Sequence, residues 1–477
     1  MKLRKLDNTH WQIDKEKEMK VPGIVFASEK MLKNIQDDRS LEQLANVACL
    51  PGIVKNAIAM PDVHQGYGFS IGGVAAFDIS NGIISPGGVG YDINCGCRMM
   101  TTGLKLSEVQ HKMDGLGMAL YSSIPTGVGS HGDIRLTEKE ERKVAIEGAL
   151  WAVKNGFGTE DDLEHTEDEG RIEGADPNKL SERALERGKN QLGTLGSGNH
   201  FIEVGYVEKI FEKKSADIFG LQEGEVTVLI HSGSRGFGYQ ICDDFLHSFT
   251  AHSQKLGMVL PDRQLSCARI DSQEGKDYLA AMACGANYAW ANRQILMHLV
   301  RNTIMNFFPE KTKALQMRLV YDIAHNIAKI ETHTIEGKKM KLCVHRKGAT
   351  RAFPAGHKLV PHAYRTVGHP VIIPGDMGRS SYILTGTERA MTDSFGSCCH
   401  GAGRVLSRSA AIKKAKGRRI DQEMEKKGIF VHSHARNTLA EEMPEAYKDI
   451  DDVIDVVQSA GLANRVARLK PLVVIKG

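Results

Sequence analysis

The alternation of apolar and polar positions predicts both strands and helices along the whole chain. Residues 226–230 and 472–475 form short, mostly apolar runs that are typical of buried strands. Residues 286–307 are partly apolar over a length that strands do not reach, and they predict a long helix. Because strands and helices are interspersed without a regular strand–helix–strand repeat, we expect an α/β fold of the mixed α+β kind.

The segment from about residue 133 to residue 189 differs from its surroundings by its many charges of both signs. This composition is typical of exposed helices, and we expect a helical insertion that flanks the rest of the fold. The sequence contains neither an evident internal repeat nor a linker-like stretch that would divide it. We therefore predict a single domain over residues 1–477 that carries this insertion.

Composition favours a globular protein of the cell interior. Hydrophobic residues make up 41% of the 477 positions and charged residues 25%, and no apolar stretch reaches membrane-spanning length. No secretory signal follows Met1, and the nine irregularly spaced cysteines do not suggest a disulfide framework. We expect a reduced, cytoplasmic protein that does not associate with a membrane.

Basic residues are clustered, although the formal net charge of +4 is weak support for a nucleic-acid partner. The two clusters comprise Lys341, His345, Arg346, Lys347 and Arg351, and then Arg404, Arg408, Lys413, Lys414, Lys416, Arg418 and Arg419. These side chains could contact phosphates, but a solvated basic surface is the commoner outcome for any one cluster.

A histidine followed by small residues is the most informative local pattern. His400 precedes Gly401, Ala402, Gly403 and Arg404, so that backbone N–H groups and a guanidinium could surround an anion. His400 would then lie where it can bind a phosphate or attack it. A glycine turn with a histidine nearby explains the same residues, and the other loops decide between the two interpretations.

A second loop combines a carboxylate with a thiol. Asp92 precedes Cys95 by three residues, and both groups can reach one metal ion at this separation. Cys95 and Cys97 do not have the spacing of a zinc ribbon. A thiolate shared between two metal ions would be unusual but chemically reasonable.

Three further loops each contain a histidine among small or amide-bearing residues, namely His200, His231 and His325. We expect His231 at the end of a strand, and we expect residues 321–326 to open a helix that carries His325. A lone histidine is more often a surface or hydrogen-bonded core residue. Together with one thiolate and one carboxylate, however, these imidazoles suit a borderline transition metal such as manganese, zinc or iron.

The loops, taken together, resemble those of the RtcB family of RNA-splicing ligases. The resemblance extends nearly from end to end through PDVHQGYGFSIGG, DINCGCR, GSGNHFIE, HSGSRGFG, DIAHN, HRKGATRAFPAG, SCCHGAGR, EEMPEAYKD and the terminal IKG. It implies a single large α/β fold of the family's own type. It also implies an enzyme that uses GTP and Mn²⁺ to join an RNA 2′,3′-cyclic phosphate or 3′-phosphate to a 5′-hydroxyl end.

The resemblance further implies roles for individual residues. His400 would be the catalytic nucleophile that becomes linked to GMP. Two Mn²⁺ ions per chain are implied, one on Cys95, His231 and His325 and the other on Asp92, Cys95 and His200. The guanine nucleotide is expected against Asn199, His200, Phe201, Ile202, Glu203, His325, Asn326, Pro374, Gly375, Asp376, Met377, Ser381, His400, Gly401, Ala402, Gly403 and Lys476. Asp62 belongs to a motif near the metals, in a supporting role that the sequence leaves undefined.

Three positions depart from the family's pattern or add to it. Asp376 stands where some relatives have serine or threonine, and its carboxylate would repel a triphosphate. Cys97 and Cys399 lie beside functional positions, and we expect them to be small core residues.

Two other functions stay open at this level. A metal-dependent cyclic phosphodiesterase or phosphohydrolase could use the same site on RNA ends without joining them. A non-catalytic RNA-binding subunit is disfavoured because the ligand set is intact. The partners implied are GTP, RNA from transfer RNA splicing or RNA damage, and an activating protein of the archease type.

Overall fold

The computed structural model describes residues 1–127, 129–255 and 260–477. The strands in these ranges are Arg4–Lys5 (β1), His10–Ile13 (β2), Gly23–Phe26 (β3), Ile53–His64 (β4), Ile71–Asp78 (β5), Ile83–Ile84 (β6), Gly96–Lys105 (β7), Phe201–Ile210 (β8), Glu225–Ser232 (β9), Ala268–Arg269 (β10), Leu319–Ala324 (β11), Asn326–Ile335 (β12), Lys338–Lys347 (β13), Ala349–Arg351 (β14), Pro370–Ile373 (β15), Ser381–Gly386 (β16), Ser397–Cys399 (β17), Phe430–Ser433 (β18) and Ala463–Lys476 (β19).

The helices are Glu29–Gln36 (α1), Ser40–Val47 (α2), Pro86–Val89 (α3), Leu106–Val109 (α4), Met113–Ser123 (α5), Glu138–Glu147 (α6), Ala149–Lys154 (α7), Glu160–Glu164 (α8), Glu182–Gly188 (α9), Lys213–Phe219 (α10), Arg235–Lys255 (α11), Gln273–Phe307 (α12), Glu388–Asp393 (α13), Arg408–Lys414 (α14), Ile420–Glu425 (α15), Arg436–Glu441 (α16) and Ile450–Ser459 (α17). No helix in the described ranges combines the length and the apolar character needed to cross a membrane.

Two large sheets organise the fold. One has the strand order β1-β2-β3-β4-β5-β13-β12, and the other has the order β11-β7-β9-β8-β19-β16-β15 with β18 added beside β19. Pairing is mainly antiparallel, with β3–β4 and β18–β19 as parallel pairs. The short strands β14 and β17 form a separate pair. This architecture confirms the expected mixed α/β class.

A long buried helix, α12, packs at the centre of the fold. Trp290 and Tyr288 on this helix are fully buried, as are most of its neighbours in sequence. The prediction of a helix over residues 286–307 is confirmed. The helix begins earlier, after Ser272, whose side chain accepts a hydrogen bond from the backbone N–H of Gly275. Its first five residues are polar or glycine, whereas residues 278–285 are mostly apolar and belong to the helix although the prediction began after them.

The predictions of strands were right in two places and missed a third. The runs 226–230 and 472–475 lie within β9 and β19, as expected. The predicted helix at residues 321–326 is wrong, because these residues end β11 and begin β12, with His325 between the two strands. Asp322 interrupts the apolar run, but two buried arginines, Arg98 and Arg293, bind its carboxylate at 2.7 Å. A polar residue can therefore occupy a fully buried strand.

The charged segment 133–189 is helical, with α6 to α9 inside it, as predicted. The expectation that it is exposed is wrong at several acidic residues. Glu141, Asp162 and Glu167 are buried, and Asp162 pairs with Arg301 of α12 at 2.7 Å. Because Asp162 of the insertion pairs with Arg301 of the central helix, we propose that residues 1–477 form a single domain.

Candidate active site

Five strand ends of the second sheet meet at one edge. β9, β11 and β19 end there, while β7 and β8 begin there, because these neighbours pair antiparallel. The register places Phe201 opposite both His231 and Lys476. Residues at or next to these ends include Cys95, His200, His231, His325 and Lys476. Loops far apart in sequence are thereby brought to one place.

Two overlapping groups of metal-ligating atoms lie at this edge. One contains Cys95, His231 and His325, the other Asp92, Cys95 and His200, and the atoms within each group lie within 4.8 Å of one another. Sγ of Cys95 is 3.2 Å from Nε2 of His231 and 3.4 Å from Nε2 of His200. Nε2 of His231 is 3.2 Å from Nε2 of His325, and Nε2 of His200 is 2.8 Å from Oδ2 of Asp92. Cys95 therefore belongs to both groups.

The spacing and protonation of these donors fit transition-metal ions. Two imidazole nitrogens bound tetrahedrally to one ion would lie about 3.4 Å apart, close to the separation found. Burial lowers the pKa of His231 and of His325 well below its usual value, so that both rings are neutral and able to coordinate. Nδ1 of His200 lies 3.0 Å from the carbonyl oxygen of Leu195, which directs Nε2 toward the other donors. Burial and Asp92 raise the pKa of the Cys95 thiol, and its thiolate therefore requires a nearby cation.

His400 follows β17 and is held by a buried carboxylate. Oδ2 of Asp62 lies 2.7 Å from Nδ1 of His400 and also accepts the backbone N–H of His400 at 3.2 Å. A carboxylate accepts hydrogen bonds, so Nδ1 carries the proton and Nε2 keeps its lone pair. The centroid of the His400 ring is 4.7 Å from that of His325. The sequence left the role of Asp62 undefined, and the structure places this residue behind the imidazole.

Glycines allow two motifs to approach Asp62 closely. Gly403 has φ +75°, and a Cβ there would lie 2.0 Å from the carbonyl oxygen of Asp62. Gly72 has φ +84°, and its Cβ would lie 2.7 Å from Oδ1 of the same residue. A side chain at either position would displace Asp62 and hence His400. The contact between the two motifs explains why both are rich in glycine.

A cavity of about 460 Å³ opens between His400 and the donor groups. Its lining includes many of the residues expected around a nucleotide: Asn199, Phe201, Glu203, His325, Asn326, Pro374, Gly375, Asp376, Met377, His400, Gly401, Ala402, Gly403 and Lys476. His200, Ile202 and Ser381 were also expected there but do not line it. His200 faces the metal donors, Ile202 is fully buried, and Ser381 lies behind Glu203, with 3.5 Å between its Oγ and Oε1 of that residue.

Two of the acidic side chains in the cavity wall, Glu203 and Asp376, have a raised pKa. Burial and the nearby Asp376 raise the pKa of Glu203 to about 8. Burial also raises the pKa of Asp376 to about 6, although Arg379 binds its carboxylate at 3.0 Å. Oδ1 of Asp376 accepts the backbone N–H of Gly378, so the carboxylate is used within its own loop. The repulsion of a triphosphate expected from Asp376 is reduced by these contacts.

Glu442 holds Lys476 in the site and also binds two other side chains. Its Nζ lies 3.2 Å from Oε2 of Glu442 and donates to the carbonyl oxygen of Gly198 at 3.1 Å. Arg404 binds the other oxygen of Glu442 at 3.0 Å, and the hydroxyl of Tyr447 donates to Oε2. The sequence analysis identified the EEMPEAYKD motif but predicted no role for Glu442 or Tyr447. Their alternation with apolar and small residues gave no indication that they meet the final strand.

The basic clusters divide between the cavity, the protein core and the surface, where Lys341, Lys413, Lys414, Lys416 and Arg419 are exposed. Arg346 and Arg351 are buried and each binds Glu331 at 2.8 Å, so the suggestion that they contact phosphates is wrong. Lys347 and Arg408 line the cavity. Nζ of Lys347 donates to the carbonyl oxygens of Tyr67 and Gly87, so an anionic ligand would share it with them. Arg346 and Lys347 are neighbours on β13, and their side chains therefore leave opposite faces of the sheet, which the clustering of basic residues in the sequence does not reveal.

Comparison with known proteins agrees with this geometry. The family model described as "tRNA-splicing ligase RtcB" matches residues 43–477. The chain is 54% identical over its whole length to the tRNA-splicing ligase RtcB of Archaeoglobus fulgidus, covering 99% of that protein. It is 52% identical to the protein of the same name from Thermococcus kodakarensis, covering 100% of this chain and 99% of that protein. The chain therefore belongs to the RtcB family of tRNA-splicing ligases.

Proposed function

We propose that this chain is an RNA ligase that joins a 2′,3′-cyclic phosphate or 3′-phosphate end to a 5′-hydroxyl end with GTP and Mn²⁺. The observation that carries the proposal is the pair of His400 and Asp62, 2.7 Å apart, with His400 lining a cavity that members of both donor groups also line. The names of its relatives favour transfer RNA splicing as the reaction in the cell. RNA repair uses the same chemistry. The nine free cysteines favour a reducing compartment, and we propose that the protein is cytoplasmic.

The donor groups suit two ions that share one thiolate. Cys95, His231 and His325 would hold the first Mn²⁺ ion. Asp92, Cys95 and His200 would hold the second. When bound, such ions act as Lewis acids that offset the charge of the phosphates.

His400 supplies the nucleophile. Its Nε2 attacks the α-phosphorus of GTP, a P–N bond forms, and pyrophosphate leaves. Asp62 keeps the proton on Nδ1 and stabilises the positive charge that develops on the ring. The RNA 3′-phosphate then takes the GMP from His400, and the 5′-hydroxyl attacks this activated end and releases GMP. A cyclic phosphate must first be opened by water.

We propose that Glu203 and Lys476, which both line the cavity, recognise the base. Lys476 pairs with Phe201 across the strands, and Glu203 lies two residues along β8, so that both side chains leave the same face of the sheet. Guanine presents ring and amino N–H donors beside a carbonyl acceptor, which matches a carboxylate beside an ammonium group. Adenine lacks this order of donors and acceptor, and we expect it to be rejected.

The proposed RNA contacts use basic residues of the same site. Lys347 and Arg408 line the cavity, and we propose that they contact RNA phosphates. Burial lowers the pKa of Lys347 to about 8, which an anionic ligand would reverse. An activating protein of the archease type is a further proposal, and only the family resemblance supports it.

The proposal is tested by incubating the protein with Mn²⁺ and GTP labelled at the α-phosphate, followed by denaturation at alkaline pH. We expect one label per chain, and its transfer to an RNA 3′-phosphate when RNA is added. A phosphohydrolase or cyclic phosphodiesterase does not need such an adduct. A chain that processes RNA ends but keeps no label would therefore contradict the proposal.

Replacing Lys476 by alanine should reduce the apparent affinity for GTP by about 10- to 100-fold, the value of a lost charged hydrogen bond. The strand itself should persist, because Val474 and Ile475 remain buried. The yield of adduct against GTP concentration measures the effect. Lys470→Ala is the matched control, since Lys470 lies on the same strand but is half-exposed and pairs with Glu208. An affinity equal to that of the control would show that Lys476 does not contact the nucleotide.

Replacing Glu203 by glutamine should weaken GTP binding and stabilise the free protein at high pH. The pKa of Glu203 is about 8 in the folded chain against about 4.3 when unfolded, so the folded state binds the extra proton. Its contribution to stability is present below pH 4 and is lost as pH rises through 8. The thermal midpoint of the variant should therefore exceed that of the parent by a margin that grows between pH 5 and pH 9. Glu208→Gln on the exposed face of β8 is the control, and an unchanged margin would contradict the assignment.

A further inference from the structure

A continuous series of ion pairs, here called the ionic chain, connects the segment before His325 with the segment before His400. It comprises Glu167, Asp168, Lys329, Arg351, Glu331 and Arg346, three of each sign. All are buried except Asp168, which is partly exposed. None of the six belongs to the metal donor groups or lines the cavity. This ionic chain starts in the helical insertion and ends at β17, the strand that directly precedes His400.

The first end holds the segment before His325. Oε1 of Glu167 and Oδ2 of Asp168 both lie 2.5 Å from Nζ of Lys329. The other oxygen of Glu167 accepts the backbone N–H of Ala324 at 2.8 Å. Since Ala324 directly precedes His325, the insertion fixes the backbone of a candidate metal ligand.

Two arginines continue the chain through a shared carboxylate. Arg351 binds Oδ1 of Asp168 at 2.6 Å and Oε1 of Glu331 at 2.8 Å. Arg346 binds both oxygens of Glu331, at 2.8 and 2.9 Å. Such bidentate pairs fix direction as well as distance.

The second end holds the strand before His400. Nε of Arg346 donates to Oγ of Ser397 at 2.8 Å, and Nη2 donates to the carbonyl oxygen of Phe395 at 2.9 Å. Ser397 begins β17, which leads directly into His400. The guanidinium of Arg346 therefore ties the nucleophile's strand to Glu331.

Backbone strain coincides with both ends of the chain. Asp168 and Glu169 have φ +52° and +54°, and Phe395 has φ +52°. Non-glycine residues adopt this conformation only where surrounding contacts impose it, and such positions cluster at functional sites. Buried ion pairs add little net stability compared with apolar packing, so their value lies elsewhere.

We propose that this ionic chain is a positioning device that sets the separation of His325 and His400 for transfer of GMP. The proposal rests on the proposed role of His400 as nucleophile. Each end restrains the backbone next to one of these histidines, whose ring centroids are 4.7 Å apart. Loss of either end would let one ring shift against the other, and small shifts of reacting groups are costly.

The test uses one variant at each end, Glu167→Gln and Ser397→Ala. We expect each to slow formation of the protein–GMP adduct by about tenfold or more at saturating GTP. The GTP concentration for half-maximal rate and the metal content per chain should stay close to those of the parent. A structural role alone would instead lower the thermal midpoint and leave the rate constant of the folded fraction unchanged.

A double-mutant cycle separates a connected chain from two local effects. Breaking either end should release the same restraint, so the double variant should be slowed about as much as one single variant. Ser266→Ala is the matched control, because Ser266 is also buried but its hydroxyl donates, among the described residues, to the carbonyl oxygen of Leu246 and touches neither end of the ionic chain. Its effect should multiply with that of Glu167→Gln.

Multiplicative effects of Glu167→Gln and Ser397→Ala would overturn the proposal, as would parental rate constants in both variants. An absence of adduct in the parent would reject the proposed function and this inference with it. If the parent forms the adduct but the effects of the two variants are independent, only this inference is rejected and the proposed function stands.

Discussion

Replacing His400 by alanine should abolish the protein–GMP adduct, a loss of at least about 10⁴-fold, and RNA joining with it. In the proposed mechanism the imidazole forms the P–N bond, and the variant keeps the other residues of the cavity. Metal content should remain near that of the parent, because His400 belongs to neither donor group. Label retained after alkaline denaturation measures the adduct, since a phosphoramidate is lost in acid.

A histidine outside the cavity provides the control for this loss. His362 is exposed and begins a short helical turn, so His362→Ala should keep parental adduct formation. Adduct at the parental yield in His400→Ala would assign the nucleophile to another residue. Asp62→Asn should give an intermediate rate, because the amide keeps the ring in place but no longer stabilises its positive charge.

Replacing Cys95 by alanine should remove both metal ions from the chain. The Cys95 sulfur lies 3.2 and 3.4 Å from the nitrogens of His231 and His200, which belong to different donor groups. Without the thiolate, each ion would keep two protein donors, which is fewer than stable sites provide. Metal per chain after dialysis is the measurement, and guanylylation should fall in parallel.

Two variants make the result specific. Cys97→Ala removes a fully buried thiol on β7 that belongs to neither donor group, and it should retain both ions. His231→Ala removes a donor of one group only and should retain one ion. Retention of one ion in Cys95→Ala would refute the bridging position, and retention of two would refute ligation by this cysteine.

The sequence predicted the chemistry of the site better than its assembly. Apolar runs identified β9, β19 and much of α12, because the buried residues of these elements follow one another in the sequence. The meeting of Cys95, His231 and Lys476 depends instead on strand register between segments more than a hundred residues apart. No local pattern encodes such register, and only the family resemblance anticipated it.

Buried polar residues account for the errors. Asp322 made residues 321–326 look unlike a strand, and Arg346 and Arg351 looked like surface charges available to phosphate. Each is neutralised by partners that are distant in sequence or on another strand. Composition alone cannot distinguish a charge compensated in the core from one facing solvent.

The convergence of strand ends also determines when the site can exist. Its donors are contributed by segments from Asp92 to His325, and they meet only after long loops have closed and the sheet is complete. The unfolded chain offers no comparable set, so ions held by these donors would bind the native state and raise its thermal midpoint as their concentration rises. Metal binding would then depend on the last stage of folding, because a partly assembled sheet could not retain the ions.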